Sequence, residues 1–148
     1  MNVLGLDYGE KRIGLSFGDS LGLAVPLTAA VQSTEDARLD HIQDLILERS
    51  IERFVVGMPY NMDGSRGFKA KEVEAFIGNL QQRFGLPIET VDERLTTHQV
   101  KEEAKLQKIK VDRKSGEVDS RAATLILQDF LDKSLGQNLE LPEDISEE

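Results

Sequence analysis

Three strand-like runs fall within the first 31 residues, joined by segments too short for anything but turns. The first, Val3–Asp7, is a short apolar run of the kind that forms a buried strand. In the second, Arg12–Phe17, small or polar residues alternate with apolar ones, and Gly18-Asp19-Ser20 supplies the turn that follows. Ala24–Val31 is the third, with Pro26 tolerable only near a sheet edge. Connections this short imply an antiparallel meander. From there the pattern changes. Ser33 or Thr34 caps a helix whose stripe is Leu39, Ile42, Leu45 and Ile46, and Phe54–Gly57 is the next buried strand. A second helix carries Ala70, Val73, Phe76, Ile77 and Leu80 on one face and is stopped by Gly85 and Pro87. Ile88–Val91 is the fifth strand, and a shorter helix is expected from about Thr97 to Leu106.

Strands joined through helices pair in parallel with right-handed crossovers. The expected fold is therefore α/β: one mixed five-stranded sheet, a three-strand meander plus two parallel strands, flanked by helices. Strands one, four and five would be parallel neighbours. Asp7, Gly57 and Asp92-Glu93 then share the carboxyl edge of the sheet, where open α/β sheets bind ligands. Gln107–Val118 reads as a basic loop and Asp119–Leu135 as a last helix burying Ala122, Ala123, Ile126, Leu127, Phe130 and Leu131. The expected organisation is one domain, 1–135, with a disordered acidic tail, 136–148.

A carboxylate at a buried strand end is desolvated on one side and needs a donor, a cation or a metal as partner. Asp7 occupies such a place, Asp92-Glu93 another, and Asp119 opens the last helix, where the dipole keeps a carboxylate ionised. Three carboxylates gathered at element ends would hold a divalent cation, and they cannot share a pocket cheaply without one. The plain alternatives are a turn-capping Asp7, a helix-capping Asp119 and a charged strand end at Asp92-Glu93. Adjacent strand residues point to opposite faces, so only one of Asp92 and Glu93 can face Asp7, and the longer Glu93 is favoured. His41 and His98 lack the spacing and the cysteine partners of a metal site. Cysteine is absent altogether, which removes disulfides, thiolate ligands and a Cys nucleophile.

The net charge of −9 argues against tight, non-specific duplex binding, because phosphate contacts need excess Lys and Arg. The tail supplies five of those acids and no base, while Lys101–Arg121 carries seven bases against five acids, a weak basic patch. Lys11, Arg12, Arg94, Arg113 and Lys114 are candidate phosphate contacts, with Tyr60 as a base-stacking platform and Asn61 beside it. There is no charged leader, no apolar leader segment and no stretch of bilayer length, so a soluble cytoplasmic protein is expected. No dimer seam is evident, which favours a monomer. The Asp7-Tyr8-Gly9 segment also opens the phosphate loops of sugar kinases and chaperone ATPases, but those need a duplicated domain that 148 residues do not supply.

Four blocks together carry a resemblance: Leu4–Gly14, Val56–Ser65, Asp92–Thr97 and Val118–Ala123. In this order they resemble the YqgF family, the Holliday-junction-resolvase-like proteins also described as pre-rRNA nucleases. The resemblance covers nearly the whole chain up to Leu135. It implies a ribonuclease H-like fold and metal-dependent phosphodiester cleavage using Mg²⁺ or Mn²⁺, with Asp7, Glu93 and Asp119 at the acidic positions as metal ligands and catalytic residues. It also implies a role in maturing the 5′ end of pre-16S rRNA, with the rRNA precursor as partner and ribosomal particles as candidate partners. The rivals are a Holliday-junction-resolvase-like DNA endonuclease and a non-catalytic RNA- or ribosome-binding factor.

Overall fold

The computed structural model describes the backbone of residues 1–94 and 117–146, and side chains at 1–94 and 120–136. Five strands form one sheet in the order β3-β2-β1-β4-β5: β1 Val3–Tyr8, β2 Ile13–Gly18, β3 Val25–Ala30, β4 Arg53–Met58 and β5 Ile88–Asp92. The meander is antiparallel, whereas β1 and β5 both lie parallel to β4. The mixed sheet expected from the connection lengths is thus the one observed. β3 is one of the two edge strands, where Pro26 removes no interior ladder bond.

Alternation along the central strands sorts their side chains to two covered faces. Leu4, Leu6, Phe54 and Val56 pack with Leu39 and Ile42 of α1 (Glu35–Arg49) and with Val73, Phe76 and Leu80 of α2 (Phe68–Phe84). Val3, Val55 and Val91 point the other way, against Ile126, Leu127 and Leu131 of the last helix, α3 (Glu117–Ser146). Burial on both faces is why β1 reads as a continuous apolar run rather than an alternating one. The Thr34 hydroxyl caps α1 by accepting from the Ala37 N–H at 3.1 Å. Gly85, at φ +68°, closes α2 in the left-handed conformation that glycine adopts without strain.

α3 lies close on the sheet because small residues make room for it. A Cβ at Gly5 would stand 2.8 Å from Leu127 Cβ and 3.1 Å from the Ala123 carbonyl. The buried Ser16 hydroxyl donates to that same carbonyl at 2.7 Å, and the Ser120 hydroxyl donates to the Leu27 carbonyl at 2.5 Å. Gln128 accepts from the Ala24 N–H and donates to the Gly22 carbonyl, anchoring the helix to the β2–β3 turn.

α3 departs from expectation at both ends. It begins at Glu117 and its backbone continues to Ser146, past the end expected at Leu135. Gly136 does not stop it, since an interior glycine costs only about 1 kcal/mol relative to alanine. The helix expected over Thr97–Leu106 and the loop from Gln107 to residue 116 lie outside the described residues. Among the described residues no helix is long and apolar enough to cross a membrane.

Candidate active site

Asp7 sits at the carboxyl end of β1, and alternation from Val3 through Gly5 puts it on the α3 face. Glu93 is the first helical residue after β5, two strands away in the sheet. Between them runs β4, and the residue beneath Glu93 is Gly57. A Cβ there would stand 2.7 Å from Glu93 Cγ and 3.0 Å from its Cδ, and would also run into Ile126. The absence of a side chain at Gly57 is what lets Glu93 reach over β4 to β1. There the carboxyls of Glu93 and Asp7 are hydrogen-bonded to each other.

Burial pushes the Glu93 carboxyl above its ordinary range and the charge of Asp92 adds to that. The hydrogen bond from Asp7 and the charge of Lys69 pull it back down. Two carboxyls in contact on a desolvated surface need either a shared proton or a cation between them. Oxygen donors of this kind suit a hard divalent ion, so the pair fits the metal that the resemblance implies.

Asp92 points elsewhere. Its carboxylate accepts from Arg94 Nε at 3.0 Å and Nη2 at 2.5 Å, and from the Arg94 N–H at 3.0 Å. That bidentate contact, the largest cause, holds its carboxyl below the usual range. The choice of Glu93 over Asp92 to face Asp7 agrees with this geometry.

Asp119 lies in the first turn of α3, and its side chain is outside the described ones. Ala123 sits over Gly5 and Leu131 lies near Gly18, which pairs with Val3, so the helix runs opposite to β1. Its first turn is therefore carried toward the end of the strand that holds Asp7. Among the described side chains, no group of three or more His, Cys, Asp or Glu is gathered as a metal cage.

The carboxyl pair opens into a cleft of about 820 Å³. The β1–β2 turn forms one wall with Gly9, Glu10, Lys11 and Arg12. The first turns of α2 form another with Phe68, Lys69, Glu72 and Val73, and Pro59, Tyr60, Met62 and Arg94 close the third. Beneath the first wall lies Arg38, only 6% exposed, which donates to the Glu10 carbonyl at 3.1 Å and the Gln32 carbonyl at 2.5 Å. Tyr8 packs its ring on Phe76 with centroids 4.5 Å apart and donates its hydroxyl to Glu35 at 3.2 Å. Burial, reinforced by Glu35, raises the Tyr8 hydroxyl above its ordinary value.

The expected substrate contacts are placed differently around the cleft. Lys11 and Arg12 line it. Arg94 lines it too, but its guanidinium is already committed to Asp92 and the Met62 carbonyl and lies 5.8 Å from the centroid of the Tyr60 ring. Tyr60, expected to stack on a base, is packed against the core under that guanidinium. Asn61 is a brace within its own loop: its amide donates to Ser65 Oγ at 3.0 Å, and its N–H to the Ser65 carbonyl at 2.9 Å. Arg113 and Lys114 lie outside the described residues. Sequence reasoning missed Lys69, although α2 opens with Lys69 and Lys71 and no acid in its first turn, against the preference of the helix dipole.

The model of the RuvX family, described as Holliday junction resolvase, matches residues 1–133. The chain belongs to this family. A relative from Opitutus terrae is 45% identical over 134 residues, 90% of this chain and 92% of the relative. One from Picosynechococcus sp. is 47% identical over 131 residues, 88% of this chain and 91% of the relative. Both bear the name "Putative pre-16S rRNA nuclease". Relatives named as nucleases agree with the expected class, a hydrolase acting on phosphodiester bonds. Among solved structures, T. thermophilus RuvC in complex with Holliday junction substrate aligns with a TM-score of 0.54 at 19% identity, covering 92% of this chain and 96% of that one. At that identity the likeness concerns the fold, which is ribonuclease H-like.

Proposed function

We propose that this RuvX-family protein is a metal-dependent nuclease that processes the 5′ end of pre-16S rRNA in the cytoplasm. In this reading residues 1–135 are the nuclease domain, working as a monomer on the rRNA precursor or on ribosomal particles that carry it, and 136–148 are an accessory tail. The observation that carries the reading is the Asp7–Glu93 carboxyl pair, brought together over Gly57 in a cleft walled on one side by Lys11 and Arg12. Asp7 and Glu93, with Asp119, would hold Mg²⁺ or Mn²⁺. A bound divalent ion of that kind polarises phosphoryl oxygens and acidifies water.

The chain's own residues bind and orient the substrate. Lys11 and Arg12 draw a phosphate toward the carboxyl edge of β1, and the turn that carries them is held from below by Arg38 through the Glu10 carbonyl. Arg94 keeps the Pro59–Ser65 wall joined to the end of β5 through Asp92 and the Met62 carbonyl, which sets the width of the cleft. The names of the relatives support RNA as the substrate.

The test is cleavage of matched RNA, duplex DNA and four-way DNA junctions with Mg²⁺ and Mn²⁺, by wild type and Asp7→Asn. The expected result is RNA cleavage lost in Asp7→Asn. Preferential junction cleavage would favour the resolvase reading that the family description suggests. RNA binding without cleavage by wild type would favour a non-catalytic binding factor.

A further inference from the structure

We propose that Lys69 binds a backbone phosphate of the substrate, from a different wall of the cleft than Lys11 and Arg12; this rests on the nuclease reading above. Three observations point to it. Lys69 lines the same cleft as the carboxyl pair but comes from α2 rather than from the β1–β2 turn. Its side chain is exposed, and among the described residues it acts on Glu93 and Glu72 through charge alone, with no hydrogen bond or close ion pair to fix it. It also stands in a place that folding does not favour. The α2 N-terminus has Gly67 as its cap with no capping side chain and no acid in its first turn, so a lysine there opposes the helix dipole. A cation held against its helix, near the buried Glu93 and without a hydrogen-bonded or ion-pair partner among the described residues, is suited to an anionic ligand.

A nucleic-acid strand entering the cleft then meets positive charge from two elements, the β1–β2 turn and the first turn of α2, whose walls touch through Glu10 and Glu72. Lys11 and Arg12 hold the backbone from the turn and Lys69 from the helix, which fixes the phosphodiester in the cleft that Asp7 and Glu93 line. Fixed charges of this kind act by positioning and by stabilising charge where it develops.

The contact makes activity and stability move apart. Removing Lys69 relieves an unfavourable charge at the α2 terminus and also removes its attraction to Glu93 and Glu72, two opposed effects, so folding should change little while binding and cleavage suffer. Lys71 is the control: it is exposed in the same turn but does not line the cleft.

The experiment uses the full chain as wild type, Lys69→Met, Lys69→Arg and Lys71→Met. Affinity for a labelled single-stranded RNA oligonucleotide is measured in EDTA across a salt series, together with cleavage in Mn²⁺ and thermal melting. One phosphate contact on a single strand contributes about 0.7 to the slope of log affinity against log salt. Lys69→Met should lower that slope by this amount and cut kcat/KM at least tenfold, with Tm moved by no more than a few degrees. Lys69→Arg should recover most of the slope, and Lys71→Met should leave it as in wild type. An unchanged slope in Lys69→Met, an equal drop in Lys71→Met, or a Tm that collapses with activity would overturn the proposal. A wild type that binds the RNA without cleaving it would overturn the nuclease reading, and the slopes would still decide the role of Lys69.

Discussion

Replacing Asp7 with Asn should stabilise the metal-free protein while removing its activity. The two carboxyls are in hydrogen-bond contact. Two like charges about 4 Å apart, at an effective dielectric constant of about 20, repel by about 4 kcal/mol. The metal-free protein can escape by holding a proton, at about 1.4 kcal/mol for each pH unit above an ordinary Glu value of about 4.3. At pH 7 both routes cost between roughly 3 and 4 kcal/mol. An Asn amide donates to the Glu93 carboxylate instead, at nearly constant volume, so a gain of roughly 1–3 kcal/mol is expected. At about 3 °C per kcal/mol for a chain of this size, that is a rise in Tm of roughly 3–9 °C.

The pH dependence has a definite sign. Burial raises Glu93 in the folded state, so the folded protein binds a proton that the unfolded chain has released. Stability is then present below the unfolded value and lost as pH rises through the folded one. Wild type in EDTA should lose stability above about pH 4.3, and Asp7→Asn should flatten that loss. A divalent ion at ten times its Kd should return about 1.4 kcal/mol to wild type and less to the variant. Melting curves from pH 5 to 9, in EDTA and in Mn²⁺, measure all of this. A variant that melts below wild type in EDTA at pH 8 would refute the reasoning, because the carboxyl contact would then be a net attraction.

Gly57→Ala should cost roughly 1–3 kcal/mol and suppress cleavage, because the added Cβ strikes Glu93 and Ile126; wild-type cleavage would show that Glu93 need not cross β4. Arg94→Met should raise KM by loosening the wall that includes Met62. It should also abolish the acid limb that Asp92 contributes: that stability is present above an ordinary Asp value of about 3.9 and lost as pH falls through the lowered one. Melting from pH 2.5 to 6 tests this, and an unchanged acid limb would count against it. Truncation after Leu135 should leave Tm nearly unchanged and strengthen RNA binding at low salt, since the tail's five acids are screened beyond roughly 8–10 Å at physiological ionic strength. A collapse in Tm would instead show that the last turns of α3 are packed.

The sheet could be read from the chain because its evidence is local. Turn-length gaps force the meander, helix-length gaps force parallel pairing, and the continuous burial of Val3–Leu6 marks a central strand. Asp7 and Glu93 could be read for the same reason, since parallel strands bring their carboxyl ends to one edge. What could not be read was the set of internal partners. Arg94 looks like any exposed arginine until its pairing with Asp92 is seen, and that pairing also covers Tyr60. Asn61 is spent on Ser65, four residues away, a contact set by the loop's path rather than by any periodicity. Lys69 escaped notice because a lysine on an exposed helix turn reads as a solvated face. Only the fold shows that this turn lines the cleft.

The roles of Gly5 and Gly57 follow from one requirement. To bring the start of α3 to the carboxyl edge, the helix must lie close on β1, and Gly5 with Ser16 permits that through the Ala123 carbonyl. To bring Glu93 to the same place, β4 must present nothing above its backbone, and Gly57 does so while Ile126 closes over it. The same helix thus packs on the space that one glycine clears and is brought to the sheet by the other. A substitution that lifts α3 should therefore disturb Asp119 and Glu93 together. Gly5→Ala, far from the cleft walls, is expected to lower activity by displacing the helix, because its Cβ would strike Ser16 Oγ and the Leu127 Cβ; a folded Gly5→Ala protein that cleaves at the wild-type rate would show that α3 need not lie this close.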